Sequence, residues 1–237
     1  EMTEIEKMSG SSCAAQMKTK GAEKMSEKKW DVYVYGDVNA DIIIPGVEKL
    51  PAPGQEELVS SMETYVGGGA ALFTLGLGKL GLHPVFQGAV GDDCYGHMIR
   101  ETFERAGVDT ELLVTGKDER TGISLSFTNA HDRSFLTYRG TNADLSMDRV
   151  KIEKAGRARH IHVTGYEGEE CHDSYARLLR RVKRETGATV SFDVGWDPTG
   201  SWSSRIYELF PWIDVLFMNE TEAEHYGKTD SQEEAAV

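Results

Sequence analysis

Short runs of β-branched and aromatic residues alternate with helical patterns along most of this 237-residue chain. The β-rich runs are residues 32–36, 85–90, 160–164, 189–193 and 215–218, and the helical stretches between them are residues 70–80, 95–106, 175–184 and 203–210. An alternation of strand and helix predicts a mostly parallel sheet with helices on both faces.

Two regions depart from this alternation. Residues 123–128 alternate apolar and polar side chains, residues 129–132 offer a turn, and residues 134–138 continue as an extended run, which is typical of an antiparallel hairpin. Residues 41–45 and 57–65 flank a loop rich in Pro and Gly. We predict that these regions form a small antiparallel lid over the carboxyl ends of the parallel strands, where open α/β sheets bind small ligands.

The first 29 residues lack both a sustained apolar period and the apolar segment of a secretory signal. We expect residues 1–29 to be a mobile leader or tag. A single domain is predicted over residues 30–237, with the lid segments near residues 41–65 and 121–140.

The net charge of −13 argues against a nucleic-acid partner and against an anionic membrane surface, because such a field repels phosphate groups. No apolar run approaches the roughly 20 residues of a membrane span. Three scattered cysteines are too few for a disulfide framework, which favours a cytoplasmic location.

Asn39 and Asp41 follow the first predicted strand, two residues apart. In an extended segment both side chains point the same way. Such a pair can bind neighbouring hydroxyl groups, since the carboxylate accepts hydrogen bonds and the amide both donates and accepts. The alternative is an Asx turn with polar surface groups.

Gly67, Gly68 and Gly69 precede a predicted helix. Glycines at such a junction let the backbone approach an oxygen-rich ligand and aim free N–H groups at it. The spacing is not that of a Walker phosphate loop, because no Lys-Ser/Thr pair follows. A comparable junction at Asp92 and Asp93 is explained by helix capping alone.

Asn219 ends the last predicted strand, and Glu222 lies three residues further on. An amide and a carboxylate one helical turn apart can bind a hydrated Mg²⁺, which prefers one or two carboxylates together with waters and phosphate oxygens. A helix that begins with acidic residues in its first turn explains the same pattern without a ligand.

Taken together, four segments resemble the ribokinase-like (PfkB) carbohydrate kinase family, and the resemblance covers the whole predicted domain. These segments are residues 66–81 for the first signature, residues 88–96 with 106–110 for the block after it, residues 138–145 for the segment after the lid hairpin, and residues 219–222 for the N-x-x-E motif. Four motifs in register are far more specific than any one of them.

The resemblance implies a three-layer αβα sandwich with a mostly parallel central sheet and a β lid. It also implies transfer of the γ-phosphoryl group of ATP to a sugar hydroxyl with Mg²⁺. The expected substrate-binding residues are Asn39, Asp41, Gly67, Gly68, Gly69, Arg139, Asn142 and Glu167. The expected cofactor-binding residues are Asn219 and Glu222, and Glu222 is the one expected near the metal.

The chain departs from the family pattern at several positions. Leu72 stands where many members have Asn, so one polar sugar contact is missing and the preferred sugar is open. Gly195 and Asp197 stand where many members have the Asn and Arg of a D-x-N-x-R segment. No Gly-Ala-Gly-Asp run, which in the family supplies the anion hole and the catalytic base, follows residue 222. We therefore expect a kinase domain truncated at its C-terminus that is inactive by itself.

The alternative is a non-catalytic sugar-binding or regulatory protein that kept the lid and the sugar pocket. A dinucleotide oxidoreductase is disfavoured, because the first strand is not followed by G-x-G-x-x-G. The resemblance also suggests a homodimer through the lid, for which Ile123, Leu125 and Phe127 form an alternating apolar face.

Overall fold

A computed structural model describes residues 28–129 and 133–229. Within these ranges the strands are β1 (Trp30–Tyr35), β2 (Asn39–Pro45), β3 (Glu63–Gly67), β4 (Pro84–Gly91), β5 (Leu113–Gly116), β6 (Gly122–Thr128), β7 (Arg133–Tyr138), β8 (Ala158–Thr164), β9 (Thr189–Asp193) and β10 (Val215–Phe217). The α-helices are α1 (Gly69–Lys79), α2 (Cys94–Arg105), α3 (Ile152–Ala155), α4 (His172–Glu185) and α5 (Glu220–Gly227). Short 3₁₀ helices cover Gly140–Asp144, Met147–Arg149, Glu169–Cys171, Ser204–Glu208 and Phe210–Trp212.

Six strands form a parallel sheet in the order β10-β9-β8-β1-β4-β5. Strand β1 lies in the middle and is apolar on both faces, as expected for a strand covered on two sides. Tyr33 and Tyr35 pack into one core with α4, whereas Val32 and Val34 pack into the other core with α1 and α2. The predicted three-layer arrangement with a mostly parallel central sheet is therefore confirmed.

The lid is a second sheet of four strands in the order β3-β2-β6-β7. The β2–β3 and β6–β7 pairs are antiparallel, but β2 and β6 pair in parallel, with Asn39 opposite Gly122. The lid is thus a mixed sheet, and the prediction of an entirely antiparallel lid was wrong on this point. Strands β2 and β6 both begin at the Asn39–Gly122 end of the lid and run in the same direction, so they pair in parallel.

Other predicted elements differ in extent. In place of one α-helix at residues 203–210 the structure has two 3₁₀ helices, Ser204–Glu208 and Phe210–Trp212. Pro211 lies in the second and has no backbone N–H with which to continue a helix from Ser204. Strand β5 was not predicted, since it has only four residues and lies at the edge of the sheet. In residues 57–65 the strand begins only at Glu63.

Two of the sequence expectations fall partly outside the described ranges. The turn predicted at residues 129–132 includes residues 130–132, and the predicted leader includes residues 1–27. Within the described part of the chain, no helix is both long enough and apolar enough to cross a membrane.

Asp93 connects α2 to the start of the lid. Its carboxylate accepts hydrogen bonds from the Gly96 N–H at 2.9 Å, from the Thr121 N–H at 2.9 Å and from the Thr121 hydroxyl at 2.7 Å. Burial acts to raise the pKa of Asp93, but these hydrogen bonds outweigh it and lower the pKa overall. The capping explanation suggested by the sequence is confirmed for Asp93.

We expect Asp93→Ala to lower the free energy of unfolding by about 2 kcal/mol or more, because it removes a helix cap and leaves two buried donors of Thr121 without an acceptor. Urea unfolding at pH 7 measures this loss, and Asp92→Ala at the exposed neighbour is the control, with an effect of at most about 0.5 kcal/mol. The contribution of Asp93 is present above pH 3.8, the ordinary Asp pKa, and is lost as the pH falls through the lowered folded-state pKa. The deficit of the variant should therefore shrink in acid. Equal losses for the two variants would contradict this role.

Candidate functional site

A cavity of about 550 Å³ lies between the carboxyl ends of the central strands and the lid. Tyr35 and Gly36 contribute from the end of β1, Thr164 from the end of β8, and Asp193 from the end of β9. This is the edge at which parallel sheets bind ligands, because the strand ends and their following loops converge there. From the lid side the lining residues are Asn39, Thr137, Arg139 and Asn142.

Asn39 and Asp41 lie at the start of β2 with their side chains in contact. The Asn39 amide donates to the Asp41 carboxylate, with 2.5 Å between Nδ2 and Oδ1. This contact confirms that the segment is extended and that both side chains point the same way. Asn39 lines the cavity, whereas Asp41 is half-buried, contacts Asn39 and is not itself a lining residue.

The glycine-rich turn packs against two aspartates. Asn39 pairs with Gly67 between β2 and β3, and a Cβ atom on Gly67 would overlap the Asp41 carboxylate. Gly68 has a φ of +96°, which favours glycine, and a Cβ there would be 2.8 Å from the Asp37 carbonyl oxygen. Only Gly69 of the three lines the cavity itself. The close packing at Gly67 and Gly68 brings α1 next to the Asn39–Asp41 pair.

Asp37 was not among the predicted site residues, although it lies at the centre of the site. Its carboxylate accepts hydrogen bonds from the N–H groups of Gly69 at 3.1 Å and Ala70 at 3.2 Å, and from the Thr164 hydroxyl at 3.3 Å. Asp37 thereby caps the N-terminus of α1 from a different element, which satisfies free N–H groups and complements the helix dipole. A cap supplied from 32 residues away leaves no local sequence signal.

Arg139, Asn142 and Glu167 also line the cavity. The Arg139 guanidinium forms an ion pair with the Glu167 carboxylate. The Asn142 side chain accepts from the Val38 N–H at 3.2 Å and donates to the Val38 carbonyl at 2.9 Å. The amide of Asn142 thus holds the backbone of the β1–β2 turn, next to Asn39.

Asn219 and Glu222 lie beyond the end of β10 and are not part of the cavity lining. They form a capping box at the start of α5. The Asn219 side chain accepts from the Glu222 N–H at 2.8 Å, and the Glu222 carboxylate accepts from the Asn219 N–H at 3.1 Å and from its amide at 2.8 Å. The helix-start explanation of this motif is therefore present in the structure.

The positions that depart from the family pattern have structural partners or remain exposed. Asp197 is fully buried and accepts hydrogen bonds from the loop that follows it, namely from Thr199, Ser201 and Trp202. Gly195 has a φ of +68° and lines the cavity without a side chain. Leu72 on α1 is 54% exposed, so an apolar side chain faces solvent at that position.

Several carboxylates lie near the carboxyl ends of the strands, and burial and their neighbours' charges raise the pKa values of three of them. Burial raises the pKa of Asp41 and of Asp193, and the charge of Asp37 raises both further. Burial likewise raises the pKa of Glu222, to which the charge of Asp193 adds. The charges of Asp37 and Asp193 thus act on neighbouring carboxylates along the strand ends. Asp193 could have been found from the sequence, since it ends a predicted strand at the ligand-binding edge.

The residues at this edge of the sheet suit Mg²⁺ only as a hydrated ion, which they would bind through its water ligands. Among the described residues no group of three or more His, Cys, Asp or Glu side chains could hold a metal ion directly. Glu222 is 5% exposed, but each of its oxygens has one protein donor and keeps a further lone pair. One carboxylate with a second one nearby suits a hydrated Mg²⁺ whose remaining ligands are waters and phosphate oxygens.

Comparison with known proteins agrees with the fold. The chain belongs to the pfkB family of carbohydrate kinases, whose family model matches residues 29–237. Among solved structures, it is 26% identical to an Arabidopsis thaliana ribokinase complexed with ribose and ATP, with a TM-score of 0.69 over 87% of this chain and 66% of the other. An Escherichia coli putative ribokinase II in complex with ATP and Mg²⁺ shares the fold at 20% identity and a TM-score of 0.68, over 87% of this chain and 68% of the other.

Curated relatives are named as kinases of several sugars. Fructokinase-1 of Zea mays is 27% identical over 87% of this chain and 65% of its own length. The ATP-dependent ribose-1-phosphate kinase of Halopiger xanaduensis is 30% identical over 79% and 60%, and the 5-dehydro-2-deoxygluconokinase of Shouchella clausii is 31% identical over 78% and 56%. The chain thus spans between 56% and 65% of the length of these three relatives.

We expect Asp37→Ala to lower the free energy of unfolding by about 1–2 kcal/mol, because it removes the cap of α1. The turn at Gly67–Gly69 should also lose its fixed position relative to Asn39. Asp37→Asn keeps one oxygen acceptor and should recover at least half of the lost stability. Urea unfolding of the three proteins measures the effect. An Asp37→Ala protein as stable as the original would show that the carboxylate does not hold α1.

Proposed function

We propose that this chain forms the acceptor-binding and lid-bearing part of a kinase that transfers the γ-phosphoryl group of ATP to a hydroxyl of a sugar. The observation that carries the proposal is the Asn39–Asp41 pair, which lies at the start of lid strand β2, packs on Gly67 and adjoins the carboxyl edge of the parallel sheet. The family membership and the ribose and ATP bound by a related ribokinase support it.

In this proposal each group has a distinct task at the acceptor. Asp41, when ionised, accepts hydrogen bonds from two neighbouring sugar hydroxyls, and Asn39 donates to or accepts from a third. Arg139 and Glu167, which line the same cavity, bind further hydroxyls. The lid excludes water from the acceptor, which strengthens each of these polar contacts.

The donor side is assigned to Asn219 and Glu222, which would hold the waters around Mg²⁺ and orient the nucleotide phosphates. When bound, Mg²⁺ neutralises charge on the transferred phosphoryl group. Asp193 lies between the two halves of the site, since it lines the cavity and its charge also reaches Glu222. We assign no catalytic base among the residues of this chain.

A homodimer through the lid remains a prediction. The face expected to mediate it, Ile123, Leu125 and Phe127, is half-buried, and β7 carries more exposed apolar side chains. Phe135 and Leu136 are 55% and 57% exposed. The sedimentation coefficient of the chain, measured by ultracentrifugation, distinguishes a monomer from a dimer.

A phosphotransfer assay tests the proposal directly. The full reading frame that encodes this chain is incubated with Mg·ATP and a panel of sugars that includes ribose and fructose, and ADP release is followed. Turnover of a sugar supports a kinase. Sugar-dependent thermal stabilisation of the protein without turnover of any sugar would instead favour the non-catalytic alternative.

We expect Asp41→Ala to weaken sugar binding about ten- to a hundredfold, because a hydrogen bond to a charged group contributes about 1.5–3 kcal/mol. Isothermal titration with the best sugar of the panel measures the affinity. Asp118→Ala, which removes an exposed carboxylate outside the cavity, is the matched control and should bind like the original protein. Unchanged affinity in Asp41→Ala would remove Asp41 from the acceptor site.

Sugar affinity should also depend on pH through Asp41. Burial, and then the charge of Asp37, raise the pKa of Asp41 above 3.8. Affinity should therefore fall on acidification at a pH above that of an ordinary Asp, because the protonated group loses acceptor capacity. Asp37→Asn removes the neighbouring charge and should move the midpoint of this loss to lower pH. A midpoint that stays or rises in Asp37→Asn contradicts the assignment.

A further inference from the structure

Trp196 is an exposed indole that lines the cavity. Its side chain belongs to the loop after β9, and the residue is 62% exposed. The same cavity contains Asn39, Arg139 and Glu167, which are the polar groups assigned to the acceptor. A large flat apolar surface therefore faces the space that these polar groups surround.

The ring of Trp196 is held by other rings. It meets Trp202 edge-to-face, with 5.0 Å between the centroids and 87° between the planes, and it meets His225 at 5.9 Å and 65°. Trp202 itself packs against His225 at 4.4 Å. Edge-to-face contacts of this kind are favourable and fix the orientation of the rings. The indole is presented at the cavity in a defined orientation, although most of it is exposed.

The loop that carries Trp196 is fixed by Asp197. This carboxylate is fully buried and accepts from the Thr199 N–H at 2.8 Å, the Thr199 hydroxyl at 2.7 Å, the Ser201 hydroxyl at 3.1 Å and the Trp202 N–H at 2.7 Å. Trp202 has a φ of +44°, a strained conformation for a bulky residue that persists only where its surroundings impose it. A strained loop that is held by a buried carboxylate beside a ligand cavity is typical of a preorganised binding element.

We propose that Trp196 is a specificity-determining residue that stacks on the apolar C–H face of an acceptor in its ring form. This inference rests on the proposed function, because it concerns the same cavity. A cyclic sugar presents hydroxyls at its edge and a flatter C–H surface on its face. Asn39, Arg139 and Glu167 suit the edge, and the indole suits the face. An open-chain polyol has the hydroxyls but no such face, so it should gain little from Trp196.

The test compares ring and open-chain ligands of equal carbon number. The pairs are 2,5-anhydro-D-mannitol with D-mannitol, 1,4-anhydro-D-ribitol with ribitol, and 1,5-anhydro-D-glucitol with D-glucitol. Affinities are measured by isothermal titration for the original protein, Trp196→Ala and Trp196→Phe. The control is Tyr95→Ala, which removes a half-buried aromatic ring outside the cavity lining. Circular dichroism and thermal unfolding confirm that each variant is folded.

We expect Trp196→Ala to weaken binding of the ring ligands about three- to tenfold, which is the size of one aromatic stacking contact. Binding of the open-chain ligands should change by less than about twofold. Trp196→Phe should retain most of the affinity, because a smaller aromatic ring can still stack, and Tyr95→Ala should behave like the original protein. Ring ligands should also change the tryptophan fluorescence of the original protein more than that of Trp196→Phe.

The outcomes separate the inference from the proposed function. If no member of any pair binds the original protein, the proposed sugar site is wrong and the inference fails with it. If sugars bind but Trp196→Ala binds ring ligands equally well, or loses ring and open-chain ligands alike, only the role of Trp196 is overturned. A fluorescence change produced by ATP and lost in Trp196→Phe, with no change produced by sugars, would assign the indole to the nucleotide and also overturn the inference.

Discussion

The site depends on one carboxylate that joins three separate elements. Asp37 follows β1, and its oxygens accept from the first N–H groups of α1 and from Thr164 at the end of β8. The central strand, the glycine-rich helix start and a neighbouring strand are thereby held at fixed distances. Because Asn39 and Asp41 follow two and four residues later, their position relative to the start of α1 is set by the same contacts. Without this link the cavity would have no defined wall on that side.

The same arrangement concentrates negative charge. Asp37, Asp41 and Asp193 lie close enough that the charge of the first raises the pKa of the other two beyond the effect of burial. Such repulsion costs stability, and helix dipoles and backbone N–H groups offset part of it. Groups held in this way are preorganised to accept hydrogen bonds from hydroxyls, because they need little rearrangement when a ligand arrives. A negative edge also suits a hydrated cation near Glu222.

Periodicity and local motifs were sufficient for much of this architecture. The parallel sheet followed from alternating β-rich and helical runs, and the convergence of Asn39, Asp41 and the glycines followed from an extended segment beside a glycine-rich helix start. The parallel pairing of β2 with β6 could not be predicted, because it joins segments some 80 residues apart and each hairpin alone indicates only its own pairing. Asp37 and Trp196 were missed for a related reason. The partners of Asp37 lie in α1 and β8, and a tryptophan in a loop has no period that reveals which cavity it faces.

The lid and the sheet are also connected by the residues that follow β7. Asn142, just after β7, binds both backbone groups of Val38, and Arg139 at the end of the same strand pairs with Glu167 beyond β8. The end of the lid hairpin therefore contacts the β1–β2 turn through one residue and the β8 loop through another. A ligand that bridges the Asn39–Asp41 pair and the Arg139–Glu167 pair would add a third connection between lid and sheet. Because the two existing contacts already fix this end of the lid, the ordering needed at that end on binding is small, and more of the interaction energy remains as affinity.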